Sequence, residues 1–188
     1  MFQRLRNLNY PWNHKRVHRV YCEMGLNIRI KPKKRLPNRN PQPLAEPVAP
    51  NEVWSIDFMH DSLESGRSFR TFNVIDDFNR EALAIEIDFS LPSERVIRVL
   101  NRIIKERGKP RLVRMDNGPE FISAIFALWA KERRINLDFI KPGKPTQNAY
   151  VERFNRTFRE QLLDCNLFSS LEEVQLATTN WMWEYNNV

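Results

Sequence analysis

Downstream of Asn51 the apolar and polar positions fall into short alternating runs. VWSIDFM (53–59), RTFNVID (70–76) and ALAIEIDFS (82–90) are rich in β-branched and aromatic residues, and HDSLESGRS and DFNRE separate them. Such runs, bounded by polar and glycine-containing turns, predict three strands in an antiparallel meander. The period changes over residues 92–107, where Val96, Val99, Leu100, Ile103 and Ile104 form one stripe that stops at Gly108 and Pro110. That is a helix, and it crosses to a fourth strand, RLVRM (111–115), which a crossover connection makes parallel to its neighbour. Phe121, Ile125, Leu128 and Trp129 predict a second helical stripe, INLDFIK (135–141) a fifth strand, and Thr146 to about Leu163 a third helix. Leu171 opens a fourth helix that runs to the end of the chain. Strands followed by alternating helices and strands describe an α/β layered domain, a mixed five-stranded sheet flanked by helices.

Ahead of this body the pattern is different. Asn13 suits the cap of a helix whose Val17, Val20, Tyr21 and Met24 share a stripe ended by Gly25, with Lys15, Arg16 and Arg19 around it. His14, His18 and Cys22 recur four apart on that helix, but no fourth ligand accompanies them, so they read as surface and packing residues. KPKKRLPNRNPQPLAEPVAP (31–50) has no apolar period and is rich in proline and basic residues, which predicts an extended linker. The expected organisation is a short basic helical arm over 1–30, a linker over 31–50 and a folded body over 51–188.

Charge sharpens this division. The chain of 188 residues carries 30 Lys+Arg against 23 Asp+Glu, a net +7. Residues 1–50 hold eleven basic against two acidic side chains, and 51–188 hold 19 against 21, so the excess is confined to the arm. A basic arm on a near-neutral body points to a polyanion partner, most simply nucleic acid bound through its phosphates. No run approaches the roughly 18 apolar residues of a membrane span, and the N-terminus lacks an apolar signal segment. The two cysteines, Cys22 and Cys165, form neither a disulfide framework nor a zinc motif. A soluble, cytoplasmic protein in a reducing compartment, with no membrane association, is the expectation.

Three acids then claim attention. Asp57 lies mid-strand in WSIDF, on the side opposite Trp54, Ile56 and Phe58. Asp116 ends the fourth strand in MDNGPEF, where Asn117 and Gly118 permit a tight turn and Pro119 suits a helix start. Strand ends of open α/β sheets are where ligands bind. Glu152 lies in QNAYVERFNRTFR, whose apolar stripe is Val151, Phe154, Phe158 and Leu162; Asn148, Glu152, Asn155, Arg156 and Arg159 fall on the other face. Each acid alone is equally well an ordinary polar residue. Together, oxygen-only carboxylates suit Mg²⁺ or Mn²⁺, and two such ions roughly 4 Å apart activate phosphodiester attack. Asp76, Asp77 and Glu120 are rivals that a turn or a helix N-terminus explains.

The words W54-S-I-D-F, R114-M-D-N-G-P-E-F and K141-P-G-K-P-T-Q-N-A-Y-V-E-R-F-N, with 35 residues between Asp116 and Glu152, resemble the catalytic core of insertion-sequence transposases, in the superfamily that also holds retroviral integrases. GRSFRTFNVIDDFNREALAIEI and WMWEYNN resemble the same family, and the likeness spans roughly residues 50–188. The resemblance implies a ribonuclease-H-like fold, with the first and fourth strands adjacent. It implies Asp57, Asp116 and Glu152 as catalytic residues and ligands of two Mg²⁺ or Mn²⁺ ions, and metal-dependent DNA cleavage and strand transfer as the reaction. Lys144, Asn148, Arg156 and Arg159 are then candidate DNA contacts, on the loop and helix that border Glu152.

The implied partners are mobile-element ends and target DNA, bound by a homo-oligomer, in a bacterial, nucleoid-associated setting. In such transposases helix-turn-helix elements precede the core; one helix is predicted here, so an incomplete DNA-binding region is expected. Relatives also run on past the equivalent of WEYNNV, which puts autonomous transposition in question. Two further readings stand: a remnant that binds DNA without catalysis, and a ribonuclease H or resolvase-type nuclease, which gives no reason for the KPGKPTQNAYVERFN segment.

Overall fold

The computed structural model describes residues 1–26, 46–140 and 148–187. The chain divides into two compact units, Met1–Pro43 and Leu44–Val188. In the first, α1 (Phe2–Asn7) precedes α2 (His14–Glu23). The sequence pattern did not predict α1, which is two turns long, lacks a side-chain cap and buries none of its residues. The second helix is capped as its sequence dictates: Asn13 Oδ1 accepts from the Arg16 amide at 3.0 Å. At its other end Gly25 adopts φ 66°, and the Gly25 and Leu26 amides donate back to Cys22 and Tyr21. This left-handed stop is the conformation for which glycine carries no Cβ penalty.

The second unit is built on a five-stranded sheet. β1 (Val53–Ser62), β2 (Ser68–Asp76) and β3 (Ala82–Asp88) form the antiparallel meander, and β4 (Leu112–Met115) and β5 (Asn136–Phe139) extend it in parallel. The order is β3-β2-β1-β4-β5, so the first and fourth strands are neighbours, as expected. α3 (Ser93–Arg107) is the crossover helix and ends at Gly108, φ 87°. α4 (Ala124–Glu132) lies between β4 and β5; α5 (Ala149–Gln161), a 3-10 turn (Leu163–Cys165) and α6 (Leu171–Asn187) follow. Of the predicted fifth strand and third helix, Lys141 and 146–147 lie outside the described residues.

Alternation along the strands sends side chains to two cores. Trp54, Ile56, Phe72 and Val74 pack with Val96, Leu100 and Phe126 from α3 and α4. On the other face Met59, Phe69 and Ile75 pack with Val151, Phe154, Phe158 and Trp181 from α5 and α6.

Two local expectations are corrected. Pro119 does not open α4: the chain makes a turn at Gly118, and the helix begins after Ser123, whose side chain accepts from the Phe126 amide. The buried stripe is Phe126, Trp129 and Ala130, while Ile125 and Leu128 are 45% and 56% exposed. Later start and buried stripe go together, because the cap fixes which side of a 3.6-residue period faces the sheet.

Candidate active site

The last parallel pair between β1 and β4 is Ser55 with Arg114. Two residues further along each strand are Asp57 and Asp116. Register alone therefore brings these carboxylates side by side on the sheet face that α5 covers. Across the antiparallel edge Asp57 faces Asn73 of β2.

Asp57 is half-buried and held by its neighbours. Asn155 Nδ2 donates to Asp57 Oδ2 at 2.8 Å, and Asn73 Nδ2 donates to Asn155 Oδ1 at 2.7 Å. Burial pushes the Asp57 carboxyl up to about 6, and the charges of Asp116 and Glu152 add to that rise. Hydrogen bonds from the Phe58 amide and Asn155 oppose it without cancelling it. Asp116 Oδ1 accepts from the Gly118 amide at 2.9 Å, a turn local to its own loop. A Cβ on Gly118 would lie 3.0 Å from that same oxygen, so a larger residue there would require the carboxylate to shift by a few tenths of an ångström. Asn117 anchors the loop to β5 by donating to the Ile140 carbonyl at 2.9 Å. Glu152 sits exposed in the first turn of α5.

The donor set is chemically of the kind that suits a hard divalent cation: three carboxylates share one electrostatic field, and Asp57 is raised by burial and then by the charges of the other two. As they stand, no group of three or more His, Cys, Asp or Glu side chains among the described residues is arranged to hold a metal ion. The acids thus feel one another without being gathered around one point.

The rival acids are occupied. Asp76 accepts from the amides of Asn51 and Phe78. Asp77 is buried against Arg114 at 3.0 Å, and Arg114 also reaches Asp138 at 3.0 Å. Burial pushes Asp77 up to about 6, against the effects of Ser55 and Arg114. Glu120 is paired with Arg70, which holds the loop after Asp116 against the sheet.

The residues weighed as DNA contacts part company. Lys144 lies outside the described residues. Asn148 is 3% exposed, its Oδ1 without a hydrogen-bond partner, and Asn155 is 8% exposed, so neither shares the outer face of α5 with Glu152. Arg156 is exposed beside Glu152. Arg159 donates to Asp61 at 3.2 Å and to the His60 carbonyl at 2.8 Å, which ties it to β1. Sequence reasoning gave Asn73 and Asn155 no role. Their only signal was an amide side chain on the helix turn after Glu152, which reads as surface until the sheet beneath is known to be polar.

The sequence matches the profile described as "Integrase core domain" over residues 47–145, and a second profile of the same description over 133–188. A 31.7 kDa protein of insertion element IS407 from Burkholderia multivorans is 42% identical over 174 residues, 93% of this chain and 63% of that protein. A 39.2 kDa protein of insertion element IS476 from Xanthomonas euvesicatoria is 38% identical over 191 residues, all of this chain and 55% of that protein. The chain therefore spans less than two thirds of either relative. Among solved structures, the HTLV-2 integrase catalytic core domain in complex with magnesium aligns with a TM-score of 0.58 at 23% identity, over 75% of this chain and 90% of that one. A simian T-cell lymphotropic virus intasome chain aligns with a TM-score of 0.62 at 21% identity, over 79% and 55%. These two show the same fold.

Proposed function

This chain belongs to the integrase core domain family, and from that premise we propose that it is the catalytic core of an insertion-sequence transposase, cleaving DNA at the element's ends and joining it to a target. The observation that carries the reading is the shared field of Asp57, Asp116 and Glu152, three acids supplied by adjacent parallel strands and the helix packed over them. Asp57, Asp116 and Glu152 would hold two Mg²⁺ or Mn²⁺ ions, which when bound polarise the attacking and leaving oxygens of a phosphodiester.

The chain's own groups prepare that chemistry. Asn155, itself held by Asn73, fixes the direction of the Asp57 carboxylate, and the Gly118 amide fixes that of Asp116. Such outer partners orient ligands and set their basicity. Glu152 stands at the exposed edge, where a DNA strand and its phosphates have access. Arg156, one turn on, offers those phosphates a positive charge that fixes the strand's position without reading its sequence. No side chain has to form a covalent bond to DNA. Joining two element ends to one target calls for more than one protomer.

A second reading, DNA binding without catalysis, draws on the carboxylates not being gathered around a single point. One experiment separates the two. The purified chain is incubated with labelled DNA carrying the ends of its host element, with Mn²⁺ or with EDTA, beside Asp116→Asn. Nicked or joined products that need both metal and Asp116 are expected. Binding by a folded protein that yields no product under any of these conditions would leave the second reading in possession.

A further inference from the structure

Beyond the acids, α5 borders a second polar feature. A groove of about 470 Å³ lies where β2 ends and α5 and α6 meet, lined by Arg80, Tyr150, Arg153, Thr157 and Tyr185 over a floor of Ile75 and Phe154. It contains two cations and no carboxylate. Burial pushes the Tyr185 phenol up, and the charges of Arg153 and Arg80 both oppose that rise.

The two arginines arrive there by different routes. Arg80 belongs to the hairpin turn between β2 and β3 and sits at φ 65°, a left-handed conformation that a non-glycine residue adopts at a cost. The turn holds it there: its amide donates to the Asp76 carbonyl, and its own carbonyl accepts from the Tyr185 hydroxyl at 3.1 Å. Its guanidinium carbon lies 3.3 Å from the centre of the Tyr150 ring, yet its buried Nη1 has no hydrogen-bond partner among the described residues. Asp77, the carboxylate whose field it shares, is already committed to Arg114. Arg153 is exposed and makes no ion pair among the described residues. Two guanidiniums, one with a buried donor unpaired and the other without an ion pair among the described residues, can both receive an anion.

Helical spacing then decides which anion. On α5 the exposed arc passes from Glu152 through Arg156, with the acid Glu160 one turn beyond it, to Arg153, and on to Thr157 and Tyr150 beside the groove. One extended polyanion fits a row of cations that begins at the reacting acids. We propose that the groove of Arg80 and Arg153 takes the phosphodiester backbone of a DNA strand that has left the catalytic acids over Arg156. The inference rests on the proposed function for the DNA's presence at the acids, but not on cleavage.

Its test is the salt dependence of binding. Affinity for a short labelled duplex is measured from low to moderate salt for the full chain, for Arg153→Gln and for Arg80→Gln/Arg153→Gln. Each lost phosphate contact lowers the slope of log K against log salt by about one. The expected loss is therefore about one for the single variant and about two for the double. Arg98→Gln, on α3 across the sheet, controls for net charge and is expected to leave the slope within error.

Arg153 is exposed and its replacement does not threaten the fold, so the single variant decides the matter even if the double variant is unstable. A slope unchanged in Arg153→Gln, or lowered as much in Arg98→Gln, overturns the proposal. So does unchanged DNA binding with altered self-association, which would assign the groove to an acidic protein segment. Wild-type protein that binds DNA without metal-dependent cleavage would sink the proposed reaction while the slopes still judge the groove.

Discussion

At the scale of single residues the site is an assembly of amides and acids, and the amides are the testable part. Asn155 touches Asp57 and is itself oriented by Asn73, so its removal leaves the three acids in place but frees the first of them to rotate. Losing such an outer partner typically weakens metal binding about 10–100-fold. Asn155→Ala is therefore expected to raise the Mn²⁺ concentration for half-maximal cleavage by about that factor, and to lower the melting temperature of the metal-free protein, because the buried Asn73 amide loses its acceptor. Slower cleavage at an unchanged metal requirement would reject the positioning role. Asp77 offers a different test. Its 3.0 Å pair with Arg114 argues for a low value, yet burial wins, because Arg114 divides its guanidinium between Asp77 and Asp138. A carboxyl at about 6 when folded, against 3.8 ordinarily, binds its proton more tightly in the native state. The stability it contributes is then greatest at low pH and is lost as pH rises through 6. Asn at this position does not titrate. The stability advantage of wild type over Asp77→Asn in urea unfolding should accordingly shrink from pH 5 to pH 7.5. An advantage that grows instead would mean that the ion pair has prevailed.

At the scale of elements, what could be read from the sequence was whatever one period determines unambiguously. The meander strands carry β-branched alternation between polar turns, and α3 has a single apolar stripe and a glycine stop, so their type was legible, whereas the order of the strands in the sheet came from the family resemblance. Asp57 and Asp116 became neighbours as soon as the first and fourth strands were paired. The segment EFISAIFALWA was not determined in this way. Its large apolar residues at 121, 122, 125, 126, 128 and 129 satisfy two overlapping helical stripes, and periodicity cannot choose between them. The choice is made by Ser123 as cap, and by the tether of the preceding loop through Glu120 to Arg70 and Ser93. Phe121, left outside the helix, instead stacks on Phe58 with ring centres 5.0 Å apart. The inner face of α5 failed for a related reason. Asn148 and Asn155 look like surface residues in a helical pattern, but both are buried, and for Asn155 the sheet beneath supplies the partners, Asp57 and Asn73, that receive it. Helix α1 had neither a cap nor a stripe to announce it.

At the scale of the whole molecule, charge separates what the fold does from where the chain is drawn. The core supplies the acids, and they repel the phosphates on which they are proposed to act. All eleven basic residues of the first fifty lie within 1–43, the first compact unit, where Glu23 is the one acid. If that excess serves DNA, its contribution is electrostatic and independent of the core's stability: each phosphate neutralised adds about 0.9 to the steepness with which affinity falls with salt. Comparing the full chain with residues 44–188 on a duplex of mixed sequence isolates this term. The shortened chain is expected to keep the melting temperature of the core, because the large apolar clusters lie wholly within 44–188. Its salt slope should be shallower by several units, with affinity at low salt reduced accordingly. Equal slopes would show that the basic arm does not touch the duplex, and binding would then rest on the cations that α5 and its groove present around Glu152.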